Sequence, residues 1–263
     1  MPAKLLWLLL FVFYACEFKE TGSNAAPDAG KLQVEETVRD TLHVATMYGS
    51  SSYFNFREEV MGNDYEMADD LATYAGRPLK IHLAKTSNEM LSMLRNNKVD
   101  IVAYSMYETK ALKDEFRFVA FQEDSYMVLV QQIGLKTVSD IHELVGKTVT
   151  VTENSVYHQR LINLNKELGG GINIQTVSDT IPIDRMIEMV AEKKIDYTVA
   201  HHKTAIQHRN FNRRLDCRIE LGFLQKNGWL IRRDDNAMLD LIAGWEKDPD
   251  TELLKSQLYG KYN

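Results

Sequence analysis

In residues 41–105, the spacing of hydrophobic and polar positions alternates between the pattern of strands and the pattern of helices. Apolar runs with β-branched residues predict three strands, LHVAT, LKIHL and DIVAY. Between these runs, apolar positions recur at helical spacing, which is typical of a helix with one buried face. The first such stretch carries Met67, Leu71 and Tyr74 on one face, and the second begins at a capping box of Thr86 and Glu89. The segment is therefore predicted to fold as β-α-β-α-β.

The same order of elements recurs further along the chain. KTVTV, INIQTV and DYTVA predict strands, and helices are predicted over 155–168 and 183–193. SYMVLVQQ predicts a strand that leaves the first unit, and CRIELGFL predicts one that returns to it. We therefore expect two α/β lobes, each with a small, mostly parallel sheet flanked by helices. Lobe 1 is predicted to comprise 41–128 plus 221–263, and lobe 2 is predicted to comprise 129–220.

The first 40 residues differ from the rest of the chain. One lysine and a short apolar run predict a cleaved signal peptide over residues 1–15. Ala15 before Cys16 resembles the lipobox of bacterial lipoproteins, which implies lipid attached to Cys16. Residues 16–40 are polar and carry little apolar periodicity, so they are predicted to form a flexible tether. We therefore expect a monomeric periplasmic protein whose lipid holds it to a membrane, with the outer membrane favoured over the inner one.

Composition narrows the range of functions. The chain is 44% hydrophobic and 26% charged, which is ordinary for a folded protein, and its net charge is −6. That charge, with no cluster of Lys and Arg, argues against nucleic acid as a partner. The sequence contains two cysteines, Cys16 and Cys217. If Cys16 carries lipid, Cys217 has no partner for a disulfide, and it is predicted to be a small buried side chain. Trp229 and Trp245 are also predicted to belong to the core.

Three motifs carry a resemblance to a known family. GNDYEMADDLATYAG, followed by LRNNKVDIVAY, is similar to the first lobe of the extracellular solute-binding protein family 3. In the second lobe, AEKKIDYTVA resembles the substrate-binding-like half of membrane-bound lytic murein transglycosylase F. The resemblance implies a two-lobed clamshell of the periplasmic-binding-protein type, with ligand held between lobes that close about two crossing strands.

The candidate binding residues follow from that architecture. In open parallel sheets, ligands bind beyond the carboxyl ends of the strands. YGSSSYFNF follows the first strand with aromatic and hydroxyl groups, and ENSVYHQRL offers the start of a helix, where backbone N–H groups are free. The candidate ligand-binding residues are therefore Tyr48, Ser50, Tyr53, Ser105, Asn154, Ser155, Tyr157 and His201.

The histidines of HHKTAIQH require a choice between interpretations. A zinc site is disfavoured because His201 and His202 are adjacent on a predicted strand and should point to opposite faces. His201 is then either a hydrogen-bonding residue of the cleft or a solvated loop residue. The resemblance implies that His201 replaces an Asp that holds a ligand ammonium group, and that Leu112 replaces an Arg that clamps a carboxylate. We therefore expect free α-amino acids to bind poorly.

No nucleophile motif and no phosphate-binding loop is present, and we predict no cofactor, no metal and no catalytic activity. The predicted function is non-catalytic binding of a small polar ligand, for example a cell-wall-derived peptide. The protein would then be a sensor or a regulatory module related to the transglycosylase, with a transporter or a murein transglycosylase as its partner. Two alternatives stay open, an ABC-transporter binding protein for amino acids or related metabolites, and a small cleft enzyme of the dehydratase type.

Overall fold

The computed structural model describes residues 40–120, 122 and 124–262. The predicted signal peptide, the lipidated Cys16 and all of the tether except Asp40 lie outside these residues. Within the described part of the chain, no helix has both the length and the apolar character that a membrane span requires.

Strands and helices alternate along most of the described chain. The strands are β1 (Leu42–Met47), β2 (Phe54–Phe56), β3 (Glu59–Met61), β4 (Leu79–Ala84), β5 (Ile101–Tyr107), β6 (Phe116–Val119), β7 (Met127–Gln132), β8 (Thr148–Thr152), β9 (Asn173–Val177), β10 (Tyr197–His201), β11 (Leu215–Asp216) and β12 (Asn227–Arg232). The helices are α1 (Asn63–Tyr74), α2 (Ser87–Arg95), α3 (Lys110–Glu115), α4 (Val156–Glu167), α5 (Ile183–Ala191), α6 (His202–Phe211), α7 (Asn236–Trp245) and α8 (Pro249–Tyr262). A short 3₁₀ turn spans Ile141–Leu144.

Lobe 1 is built on one five-stranded sheet in the order β4-β1-β5-β12-β6. Strands β4, β1 and β5 are parallel, as the β-α-β-α-β pattern predicts, and β12 pairs antiparallel with β5 and β6. Strand β12 runs the other way because it enters the sheet from the chain that returns from lobe 2. Helices α1 and α2 cover the sheet through the apolar stripes that the sequence indicates.

The core of lobe 1 contains the two tryptophans predicted to lie there. The rings of Trp229 and Trp245 stack with centroids 6.0 Å apart, and neither side chain is exposed. Each indole donates its N–H to a carboxylate of α1, Trp229 to Asp64 at 2.9 Å and Trp245 to Asp70 at 2.7 Å. Helix α1 is therefore fixed to the core by hydrogen bonds as well as by apolar contacts.

Lobe 2 contains two smaller sheets, β10-β7-β11 with antiparallel pairs and β8-β9 with a parallel pair. Strands β7 and β11 belong to the connections with lobe 1. This explains why both pairs are antiparallel, β7 with β10 and β11 with β7. Strands β8 and β10 are neighbours in separate sheets, and the hydroxyl of Thr198 donates to the carbonyl of Thr150 at 2.8 Å between them. Cys217 is buried, as predicted.

The two crossings between the lobes lie side by side. The N–H of Leu129 donates to the carbonyl of Ile219 at 2.9 Å, and the N–H of Leu221 donates to that of Met127 at 2.8 Å. Ser125 and Gln225 form an isolated antiparallel bridge nearer lobe 1. The two-lobed α/β clamshell is thus confirmed, and its connections are a pair of short extended segments. The sheets are mixed rather than mostly parallel as predicted, because β7, β11 and β12 enter them from the connections between the lobes.

Candidate functional site

A cavity of about 80 Å³ lies between the two lobes, beyond the carboxyl ends of β1, β5 and β10. Its lining is polar and aromatic, with charged groups of both signs. From lobe 1 it takes Ser52, Asp64, Tyr104, Ser105, Tyr107 and Asn227, and from lobe 2 Tyr157, Asp184, His201, Lys203 and Thr204. The cavity is therefore enclosed only when the two lobes lie close together.

Asp64 reaches the cavity because of a close contact at the start of α1. Gly62 precedes the helix with φ 138°, and a Cβ there would stand 2.3 Å from the carbonyl oxygen of Ser52. The N–H of Asn63 donates to the carbonyl of Ser51 at 2.7 Å. Only glycine fits this junction, and the junction places Asp64 in the first helical turn, where a carboxylate is favoured.

The Asp64 carboxyl is buried and hydrogen-bonded. Its Oδ1 accepts from Trp229 Nε1 and from Gln122 Nε2, each at 2.9 Å. Burial raises the pKa of Asp64 to about 6, while these two donors and the charge of Lys203 act in the opposite direction. The group therefore changes its charge in the mildly acidic range, unlike an ordinary surface carboxylate.

An aromatic group occupies the centre of the cleft. The rings of Tyr107 and His201 stack with centroids 3.7 Å apart and planes 19° apart, and the ring of Tyr157 lies 5.0 Å from His201 at 55°. Burial lowers the pKa of His201 to about 3, so its ring is neutral at physiological pH. Its Nδ1 atom is buried and makes no hydrogen bond within the described residues.

Asp184 forms the second acidic corner of the cavity. Its Oδ1 lies 2.8 Å from Nε2 of His208, and its Oδ2 accepts from the backbone N–H of Ser50 in lobe 1 at 3.4 Å. Burial raises the pKa of Asp184, but the hydrogen bonds of His208 and Ser50 together bring it below its usual value. The side chain of Ser50 also donates to Gln207 of lobe 2 at 3.4 Å. These contacts join the lobes at the rim of the cavity.

The residues predicted from sequence to bind ligand lie in three different places. Ser105, Tyr157 and His201 line the central cavity. Asn154 and Ser155 line a neighbouring cavity of about 70 Å³ that shares Tyr157 with the central one, and the Ser155 hydroxyl accepts from the N–H of His158 as a helix cap. Tyr48 and Ser50 line an open groove of about 810 Å³, and Tyr53 packs edge-on against Tyr48 and Tyr65.

Sequence reasoning missed several of the groups in the cavity. Asp64 lies inside the motif that carries the family resemblance, and Lys203 directly follows the two histidines, so both were within reach. Tyr107 lies two residues beyond Ser105 on the same strand, which places both side chains on one face of β5. Asp184 begins a helix in lobe 2, and its sequence neighbourhood gives no such signal.

Leu112 packs against the core of lobe 1 and is not among the residues that line the central cavity. The expectation about amino acids considered only positions 112 and 201, whereas Lys203 and Asp64 bring charges to the cavity from other elements. The other two histidines of HHKTAIQH have separate contacts, since His202 stacks on Tyr126 at 4.6 Å and His208 pairs with Asp184. Among the described residues, no three His, Cys, Asp or Glu side chains are grouped for a metal.

Comparison with known proteins places these features in context. The bacterial extracellular solute-binding proteins, family 3, match residues 42–243. Membrane-bound lytic murein transglycosylase F of Shewanella sp. (strain ANA-3) is 30% identical over 209 residues, which are 79% of this chain and 43% of that protein. The Shewanella oneidensis protein of the same name is 29% identical over 225 residues, covering 81% of this chain and 46% of that protein. The chain thus spans less than half the length of these relatives.

Solved structures share the fold at low sequence identity. An ancestral arginine-binding protein bound to arginine is 19% identical, with a TM-score of 0.73 over 85% of this chain and 98% of that one. The substrate-binding protein of an amino acid ABC transporter is 15% identical, with a TM-score of 0.71 over 84% of this chain and 98% of that one. In both comparisons nearly the whole of the neighbour's chain is matched.

Proposed function

Because this chain belongs to the bacterial extracellular solute-binding proteins, family 3, we propose that it binds a small polar ligand between its lobes without catalysing a reaction. The observation that carries the proposal is the central cavity, which both lobes complete. Asp64, Lys203 and Thr204 bring hydrogen-bond acceptors and donors to the cavity, and Tyr107 and His201 line it with the faces of their rings. Convergent polar groups within aromatic walls are typical of small-molecule sites.

The size of the cavity constrains how a ligand is held. About 80 Å³ is well below the roughly 300–1,000 Å³ of common ligand pockets. A cell-wall-derived peptide would therefore need the lobes to separate, and it would extend past Tyr157 toward Asn154 and Ser155 in the neighbouring cavity. Closure of the lobes about the paired crossings would then enclose the ligand.

The biological role that we propose is that of a sensor or regulatory module related to lytic murein transglycosylase F, located in the periplasm as a monomer. Lipid on Cys16 would hold it to a membrane, the outer membrane in preference to the inner. The partner would be a murein transglycosylase. The alternative is a binding protein that serves a transporter, which is supported by the amino acid ABC transporter component among its structural neighbours.

A second candidate is a cleft enzyme of the dehydratase type. Asp64 favours it, because a carboxyl with a pKa of about 6 is suited to proton transfer near neutral pH. Turnover of cyclic dienyl acids, abolished in Asp64→Asn, would support this candidate and contradict non-catalytic binding.

Calorimetry with two ligands tests the proposed function. We expect a murein stem tripeptide to bind more tightly than free L-arginine, because its peptide groups can hydrogen-bond the linings of both the central and the neighbouring cavity, whereas the neutral His201 ring supplies no charge for an α-ammonium group. Native mass spectrometry of the protein purified from its own periplasm should detect a bound small molecule, and small-angle scattering should detect a smaller radius of gyration with ligand. If no ligand co-purifies and periplasmic extract causes no compaction, the proposal is wrong.

Two matched variants locate the site. Asp64 and Asp70 both lie on α1 and both accept an indole N–H, but Asp64 lines the cavity and Asp70 does not. We expect Asp64→Asn to weaken binding about tenfold or more, since hydrogen bonds to a charged group are worth about 1.5–3 kcal/mol. Asp70→Asn should leave affinity within about twofold. Equal losses in the two variants would place the site elsewhere.

A further inference from the structure

Tyr107 and His201 face each other directly across the cleft. Tyr107 ends β5 in lobe 1, and His201 ends β10 in lobe 2. With centroids only 3.7 Å apart and planes 19° apart, the rings have little room for lateral offset. The normal to the two ring planes therefore points from one lobe to the other. Separation of the lobes in this direction widens the gap between the two rings.

The direct contact between these rings is a weak one. Aromatic pairs prefer offset or edge-on arrangements with centroids about 4.5–7 Å apart, because stacked faces carry like charge. In addition, Nδ1 of His201 is buried without a hydrogen-bond partner among the described residues, which is unfavourable for a polar atom. A group that entered between the rings would replace this close stack with two contacts at normal separation.

Both rings are held in place by groups outside their contact. The side chain of Ser125 lies close to the hydroxyl of Tyr107, and the backbone of His201 lies close to the hydroxyl of Tyr157. Tyr157 also packs at 55° against the imidazole. The two faces are therefore oriented before any ligand arrives, so little conformational freedom is lost on binding.

The electrostatics of the cleft favour an uncharged group at this point. The imidazole and the phenol are neutral, so a charge between them would lose its hydration without gaining a counter-ion. Of the two carboxylates nearby, Asp64 is already opposed by the charge of Lys203, and Asp184 lies 2.8 Å from Nε2 of His208.

We infer that the ligand carries a planar, uncharged group that inserts between the rings of Tyr107 and His201, with polar edges that reach the surrounding hydrogen-bonding groups. This inference rests on the proposed function. Carbon atoms in contact lie about 3.5–4.0 Å apart, so insertion requires centroids about 7–8 Å apart. Relative to the closed arrangement described here, the liganded lobes would then stand only about one ring thickness further apart, which is still more compact than the open form that admits a ligand. The paired crossings are the place where such a small rotation is taken up.

Uracil and 5,6-dihydrouracil are suitable probes because they share their hydrogen-bonding edges, and only uracil is a flat aromatic ring. In titration calorimetry with the full chain at pH 7, uracil should bind at least about fivefold more tightly than dihydrouracil. His201→Ala should weaken uracil binding about tenfold and remove the difference between the probes. His201→Phe should keep the difference, and His202→Ala, a matched control outside the cavity, should change neither affinity.

The other outcomes contradict the inference. Equal affinity for both probes, or an effect of His202→Ala as large as that of His201→Ala, overturns the stacking site. Tighter binding of methylguanidinium than of uracil overturns its uncharged character. If neither uracil nor dihydrouracil binds while a small molecule co-purifies from the periplasm and compacts the protein, the stacking site is wrong and the proposed function stands. If nothing co-purifies, no compaction occurs and no probe binds, both are wrong.

Discussion

The two lobes build their half of the cleft in different ways. Lobe 1 has one continuous five-stranded sheet, and its two buried tryptophans tie α1 to the core through Asp64 and Asp70. Lobe 2 has two separate small sheets joined by a side-chain hydrogen bond from Thr198. A carboxylate in lobe 1 is thus positioned by a rigid core, whereas the His201 ring in lobe 2 is at the end of a shorter and less connected sheet.

This difference between the sheets indicates that the two lobes have different roles in binding. A continuous sheet resists local opening, while a sheet interrupted between neighbouring strands can adjust at lower cost. We expect lobe 1 to act as the fixed half of the cleft and lobe 2 as the half that adapts to the ligand. The two roles should be visible in the stability of each lobe and in the ionisable group that each one buries.

The largest effect is expected from the core of lobe 1. Trp229→Ala removes a fully buried ring, its stack on Trp245 and one donor to Asp64. We expect the free energy of unfolding, measured by urea denaturation, to fall by about 3–5 kcal/mol. Phe211→Ala is the control, because that ring is 94% exposed and its loss should cost less than about 0.5 kcal/mol. Equal costs for the two truncations would contradict the view of lobe 1 as the rigid frame.

The ionisable groups of the two lobes should give pH effects of opposite sign. Asp64 has a folded pKa of about 6 against an ordinary 3.8, so its contribution to stability is fully present below pH 3.8 and is lost as pH rises through 6. Asp64→Asn abolishes this dependence. Relative to the unmodified protein, the variant should therefore gain about 2–3 kcal/mol between pH 4 and pH 7, since each pKa unit corresponds to about 1.4 kcal/mol.

For His201 in lobe 2, the stability should change with pH in the opposite direction. Its folded pKa of about 3 lies below the ordinary 6.5, so stability is present above pH 6.5 and is lost as pH falls toward 3. His201→Phe should therefore gain stability over the unmodified protein as the solution is acidified. Urea denaturation at a series of pH values measures both variants. Parallel pH profiles for Asp64→Asn and His201→Phe would show that the two groups are not buried as the structure has them.

Periodicity predicted the repeated α/β order and the buried tryptophans, because burial of one face leaves a regular mark on the sequence. It missed the hairpin of β2 and β3 after the first strand. Arg57 and Glu58 form its turn with φ of 50° and 70°, and neither residue type is typical of that conformation. A turn held by its surroundings rather than by glycine or asparagine leaves no local signal.

The candidate site was predictable only strand by strand. Ser105 and His201 were predicted to lie in the cleft because the carboxyl ends of strands can be located from sequence, and both line the cavity. The stack of Tyr107 on His201 and the bond from Ser50 to Asp184 join residues of different lobes, so they depend on the angle between the lobes. Nothing in either sequence segment encodes that angle locally, which is why Asp184 was missed, whereas Tyr107 could have been included because it shares a face of β5 with Ser105.

The smallest effect concerns the junction inside lobe 2. Thr198 is fully buried and donates to the carbonyl of Thr150 at 2.8 Å, whereas Thr176 on β9 is exposed. Thr198→Val keeps the shape of the side chain but leaves a buried carbonyl without that donor, so we expect a loss of about 1–2 kcal/mol in unfolding free energy. Thr176→Val makes the same chemical change at the surface and should cost less than about 0.5 kcal/mol. Hydrogen exchange should locate the loss of protection in β8 and β10. A loss spread equally over the five-stranded sheet of lobe 1 would contradict the view that this hydrogen bond stabilises lobe 2 in particular.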